Sequence, residues 1–155
     1  MFLGTYWHTL DEKNRFILPT KLREAVNLDE EGHKFVFTRG LDKSVFMFPP
    51  SEFHRFSERV KRGAFTRNRD FKLEFAASAT HQAIDKQGRI TVPAQLLKDA
   101  EIAKEIAVIG NFDWIEIWSR ERWERRLAES EARGAYDREA RSLFEGTDDE
   151  GEKER

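Results

Sequence analysis

Short runs of alternating or continuous apolar residues, parted by polar turns, fill residues 1–120 and predict strands rather than long helices. Strands are expected over 34–38, 45–48, 105–109 and 115–118, where Val, Ile, Phe, Met and Trp favour a pleated surface. Two more should end at Leu10 and Ile84, each followed by a polar turn and a partner strand that stops at Pro19 or Pro93. Proline cannot donate to a ladder and suits the first turn of a helix, so short amphipathic helices are predicted over 20–27 and 94–101. Helical spacing of apolar residues returns over 51–62, 66–75 and 119–145.

The pattern occurs twice. Leu10-Asp11-Glu12-Lys13-Asn14-Arg15-Phe16-Ile17-Leu18-Pro19 aligns without gaps on Ile84-Asp85-Lys86-Gln87-Gly88-Arg89-Ile90-Thr91-Val92-Pro93, with Asp, Arg and Pro coinciding. With a one-residue gap, Leu41-Asp42-Lys43-Ser44-Val45-Phe46-Met47-Phe48 resembles Phe112-Asp113-Trp114-Ile115-Glu116-Ile117-Trp118. Each half therefore reads as hairpin, short helix, hairpin, helix. Asn14 and Gly88 hold equivalent turn positions, and both residue types tolerate a positive φ, Gly for want of a Cβ and Asn through local amide bonding. One half alone exposes too much apolar strand surface. Two halves would close a small barrel, and thirteen Phe and four Trp are enough to fill it and leave surface for subunit contacts.

Charge placement changes what the total implies. The net charge is −2, but Glu145, Asp148, Asp149, Glu150, Glu152 and Glu154 stand against only Lys153 and Arg155 at the end, so the rest of the chain is net basic. Arg55, Arg59, Lys61, Arg62, Arg67, Arg69 and Lys72 form a basic middle, broken by Glu58 and Asp70. Such a run is either a solvated helix face or a surface for phosphate or for acidic residues of a neighbour, such as Glu129 and Glu131. Without cysteine there is no disulfide framework, thiolate metal site or cysteine nucleophile. No leader pattern or long apolar span is visible, and a cytoplasmic protein without membrane contact is expected.

The opening Met1-Phe2-Leu3-Gly4, the segment His8-Thr9-Leu10-Asp11-Glu12-Lys13-Asn14-Arg15 and the segment from Asp85 to Pro93 together resemble the MraZ family, over residues 1–144. The resemblance implies two tandem AbrB-like (SpoVT-AbrB) swapped-hairpin modules in a double-psi-like small barrel, a mainly β fold with short helices (α+β). The expected organisation is a first module at 1–50, a basic helical connector at 51–76, a second module at 77–120, a C-terminal helix at 121–145 and an acidic disordered tail at 146–155. The implied function is a repressor-type bacterial transcriptional regulator. It would bind repeated short boxes upstream of a cell-division and cell-wall gene cluster, its own promoter included, as a ring-shaped homo-oligomer with an octamer among the candidates. Nucleoid association would follow. The first copy departs from the family in having Asn14 where Gly is usual and in the bulk of Phe16-Ile17-Leu18.

A two-stranded ribbon can enter the major groove, where base pairs differ in their donor and acceptor pattern. Arg15 and Arg89, at the start of the second strand of each hairpin, are candidates to fork onto guanine or grip phosphate. Lys13 and Lys86, at the tips, suit phosphate contacts that fix register. Asp11 and Asp85 would be repelled by DNA, and are expected to orient the arginines or bond turn amides. With Asn14 and Gly88 they form the structural part of the motif.

Competing functions lack their parts. His8, His33, His54 and His81 are scattered, with no i, i+4 pair or carboxylate cluster, so no metal site, cofactor or catalytic residue is expected. No Gly-rich phosphate loop or nucleophile elbow is present, and neither an enzyme nor a small-molecule substrate is predicted. The alternative is a swapped-hairpin antitoxin or assembly module without specific DNA readout. Trp123, Leu127, Tyr136, Leu143 and Phe144 mark the C-terminal helix as a packing element, and residues 147–155 are expected to be mobile.

Overall fold

The computed structural model describes residues 1–62 and 67–146. Thr66, the expected start of one helix, and the tail at 147–155 lie outside the described residues. The chain divides into two compact units, Met1–Arg120 and Glu121–Arg155.

In the first unit, the first half of the repeat forms β1 (Thr5–Thr9), β2 (Arg15–Ile17), α1 (Thr20–Glu24), β3 (Lys34–Arg39), β4 (Ser44–Phe48) and α2 (Pro50–Lys61). After α3 (Arg69–Ser78), the second half forms β5 (Thr80–Ala83), β6 (Arg89–Thr91), α4 (Ala94–Asp99), β7 (Glu105–Asn111) and β8 (Trp114–Ser119). The helix α5 (Arg120–Ala132) follows, then α6 (Ala135–Phe144). The fold is α+β, with antiparallel pairing throughout the two sheets.

The halves are interleaved. The larger sheet has the order β1-β7-β8-β4-β3-β5, which reads the same from either edge once each strand is replaced by its counterpart in the other half. β1 thus pairs with β7 of the second half, and β5 with β3 of the first. A separate ribbon joins β2 to β6 with Phe16 opposite Ile90. The chain has a pseudo-two-fold relation between its halves, passing through the Phe16 and Ile90 pair and through Phe46 and Glu116, which face one another where β4 meets β8.

Three expectations are corrected. Each hairpin's arms diverge: β1 and β5 enter the large sheet, and β2 and β6 leave for the ribbon, so a half's own strands do not zip together around the Asp-x-x-x-Arg turn. Among the described residues the strands make an open six-stranded sheet and a two-stranded ribbon, not a closed barrel. The helix expected over 121–145 is two helices. Gly134, at φ +62, stops α5 and caps α6, since a left-handed residue cannot continue a right-handed helix.

Period-two alternation decides which side chains fill the core. Phe35 and Phe37, Val45 and Met47, Ile106 and Val108, and Ile115 and Ile117 point to one face, where they join Leu10, Phe16, Leu18, Leu22 and their counterparts Ile84, Ile90, Val92 and Leu96. Each fully buried Leu, Ile or Phe contributes about 1.5–3 kcal/mol of apolar transfer. The opposite face is aromatic: Phe48 packs at 5.7 Å on Phe53 and 5.2 Å on Phe56 of α2, and Phe56 at 5.7 Å on Phe75 of α3. Pro50 begins α2, and the Glu31 carboxylate accepts hydrogen bonds from the Ser51 amide and hydroxyl at that helix start.

The second unit is sparse by comparison. Among its described residues Ala135 is the buried apolar one, and Leu127, Tyr136, Leu143 and Phe144 are exposed. Ion pairs between Arg125 and Glu121 and between Arg141 and Glu145 lie along its helices. Among the described residues no helix is long and apolar enough to cross a membrane.

Candidate nucleic-acid interface

The two polar turns are built alike, bond for bond. Asp11 donates its amide to the Arg15 carbonyl at 2.9 Å, and Asn14 donates to the Asp11 carbonyl at 3.0 Å. Asp85, Arg89 and Gly88 repeat both bonds at the same lengths. The carboxylate organises what remains. Asp11 Oδ1 accepts from the amides of Lys13 and Arg15 at 2.9 Å, and Oδ2 accepts from Arg15 Nε at 2.8 Å. Asp85 does the same for Gln87 and Arg89, with the same distances.

This bonding holds both aspartates ionised. The Arg15 amide is the main cause of the lowered pKa of Asp11, and its guanidinium adds to it; the Arg89 amide and guanidinium do the same for Asp85. Because Nε is the atom engaged, the outer nitrogens of each guanidinium project past the carboxylate. Arg89 Nη2 makes a further 3.3 Å bond to Gln87 Oε1. The arginines are thus pre-oriented, which lowers the entropy lost when they grip a planar acceptor.

Backbone conformation fixes the rest of the turn. Asn14 sits at φ +59 and Gly88 at φ +81. The Asn14 carbonyl accepts from Val92 at 2.8 Å, and the Gly88 carbonyl accepts from Leu18 at 2.8 Å, so each loop is tied to the strand of the other half. The two loops flank the same short ribbon, and Lys13 and Lys86 are exposed on them. All eight residues of the sequence-derived motif therefore adjoin the β2–β6 ribbon, one loop at each of its ends.

The basic middle is partly spent within the chain. Arg55 pairs with Glu52 at 3.3 Å, Lys61 pairs with Glu58 at 3.0 Å, and the Arg59 guanidinium lies 5.0 Å from the Phe56 ring centre. Among the described residues no three His, Asp or Glu side chains are grouped to hold a metal ion.

Sequence reasoning missed Arg23. Its guanidinium covers Gly88: a β-carbon built on Gly88 would lie 2.5 Å from Arg23 Nη1 and 2.9 Å from Cζ. The one available sign was that Arg23 falls opposite Leu97 when the repeats are aligned.

The sequence profile of a family described as "MraZ protein, putative antitoxin-like" matches residues 1–73 and again 75–144, one copy for each half. The chain belongs to the MraZ family. It is 41% identical over 126 residues to "Transcriptional regulator MraZ" of Finegoldia magna, covering 80% of this chain and 85% of that protein. It is 43% identical over 125 residues to the protein of the same name in Heliobacterium modesticaldum, covering 79% and 84%. To that of Clostridium tetani it is 43% identical over 126 residues, covering 80% and 85%. These MraZ relatives carry the name of a regulator and not of a catalyst, in line with the reading of the chain as a non-enzyme.

Proposed function

We propose that this MraZ family member is a sequence-specific DNA-binding transcriptional regulator, and that Arg15 and Arg89 are its base-reading or phosphate-gripping residues. The observation that carries this reading is the duplicated clamp, in which an ionised Asp fixes each arginine by Nε at 2.8 Å and keeps its own oxygens off the outer nitrogens, of which, among the described residues, Arg89 Nη2 alone makes a bond, at 3.3 Å to Gln87. Lys13 and Lys86 supply phosphate contacts beside them. Asp11, Asp85, Asn14 and Gly88 hold the loops.

The finer reading is a repressor-type factor on repeated promoter boxes of a cell-division and cell-wall gene cluster, nucleoid-associated in the cytoplasm. The repeat units remain 1–50 and 77–120, with 51–76 as connector. A single bidentate contact discriminates by only about 1–3 kcal/mol, so a ring-shaped homo-oligomer presenting loops to successive boxes supplies the missing affinity through avidity.

Anisotropy titration of a labelled duplex from upstream of the chain's own gene, against a scrambled duplex of equal length, tests this. Preference for the upstream duplex, increasing with the number of repeated boxes, supports the regulator. Equal or absent binding sinks it and favours the second reading. That reading is an antitoxin, which the words "antitoxin-like" in the matching family's description motivate; its mark is tight capture of a protein toxin with no need for Arg15 or Arg89.

A further inference from the structure

The two loops differ chemically despite their matching hydrogen bonds. The loop at 11–15 sets Asp11 and Glu12 against Lys13 and Arg15, and is neutral. The loop at 85–89 sets Asp85 alone against Lys86 and Arg89, and is net positive. Arg23, from the last turn of α1, adds another cation to the second loop by lying over Gly88. At the matching position of the other half stands an apolar residue. The counterpart of Arg23 is Leu97: Arg23 donates its amide to Pro19 at 2.9 Å, as Leu97 does to Pro93 at 3.1 Å, but Leu97 is 5% exposed in the core.

Arg23 is half-buried, yet among the described residues it makes no ion pair, and its side chain makes one long bond of 3.5 Å to Thr20 Oγ1. A guanidinium carries five N–H donors, so most of its capacity is unspent where it stands. Held against a glycine turn beside Arg89 and Lys86, it suits the oxygens of a nucleic-acid backbone.

We infer that Arg23 is a further DNA-backbone contact, and that it makes the 85–89 loop the dominant of the protomer's two DNA-gripping loops. This rests on the DNA-reading function proposed above. The residue acts on phosphate and carries no sequence information, so its loss weakens all duplexes alike.

The experiment uses the full chain, the upstream and scrambled duplexes, and a salt series, with wild type, Arg23→Leu, Arg23→Lys, Lys13→Ala and Lys86→Ala. Leucine preserves apolar cover, as Leu97 does at the matching site. Arg23→Leu should flatten the slope of log affinity against log salt by about 0.9 per engaged protomer, roughly an eightfold effect per decade of salt, on both duplexes. Arg23→Lys should restore most of that slope, and Lys86→Ala should weaken binding more than Lys13→Ala. If wild type binds but Arg23→Leu keeps its affinity and slope, Arg23 merely covers Gly88 and the inference fails while the regulator stands. Equal losses for Lys86→Ala and Lys13→Ala overturn the dominance of the second loop. If wild type prefers neither duplex, the proposed function itself fails.

Discussion

Phe16 lies opposite Ile90 in the β2–β6 ribbon, 3% and 0% exposed, so the pseudo-two-fold relation of the chain runs through a packed apolar pair. That pair joins the halves midway between the two loops. Truncating it opens a cavity that neither half can close alone: Phe16→Ala should cost about 3–5 kcal/mol and Ile90→Ala about 2–5 kcal/mol. Urea denaturation checks this, and a loss below about 1 kcal/mol for either would show that the ribbon is not a shared core.

Gly88 shares a positive φ with Asn14 but meets one further constraint. Its φ is +81, and a β-carbon would press on Arg23, whereas Asn14 already carries a side chain at φ +59. Gly88→Ala should therefore destabilise the protein by about 1–3 kcal/mol, and Asn14→Gly by only a few tenths. Thermal melting of the two variants would expose the error if both were neutral or the order reversed.

The clamping aspartates make part of the loop order pH-dependent. Both carboxyls are held below their ordinary 3.8, chiefly by the amides of Arg15 and Arg89. A depressed carboxylate pKa gives stability that is fully present above the unfolded value and lost as pH falls through the folded one. Wild type should therefore exceed Asp11→Asn plus Asp85→Asn in stability at pH 7, with the gap closing as pH drops below about 4. A gap unchanged down to pH 3 in chemical denaturation would contradict the clamp as an ionic device.

His8 works in a different window. Burial lowers its pKa below the ordinary 6.5; its ring lies 5.9 Å from that of Phe16, and its backbone faces Ile106 across the β1–β7 ladder. Between the folded pKa and 6.5 the unfolded chain binds more protons, so stability rises with pH through that range and falls as acid is added. His8→Gln should remove this slope, as read by denaturation between pH 5 and 7.5; an unchanged slope assigns it to another group.

Much of this was legible because it is local. The Asp-x-x-x-Arg turns and the prolines that end the strands lie within ten-residue windows, so the repeat and its candidate residues could be aligned by eye. Strand partners were not, because the pairing of β1 with β7 joins segments about two thirds of the chain apart, as Thr5 and Ile109 show, and a lone strand looks the same whichever edge it joins. The break at Gly134 was hidden because the charge-rich run from 119 to 145 carries no proline to end a helix, and a lone Gly is tolerated inside one. Arg23 over Gly88 is a contact between halves, which no window around either residue contains.

The most direct measurement of the central claim is an anisotropy titration of the upstream and scrambled duplexes at fixed moderate salt, comparing wild type with Arg15→Ala plus Arg89→Ala. Both proteins are first checked for equal assembly and melting. The account predicts that wild type prefers the upstream duplex and that the double variant loses the preference while remaining assembled. Retained preference in the double variant would contradict the assignment of the clamped arginines as the DNA-reading groups.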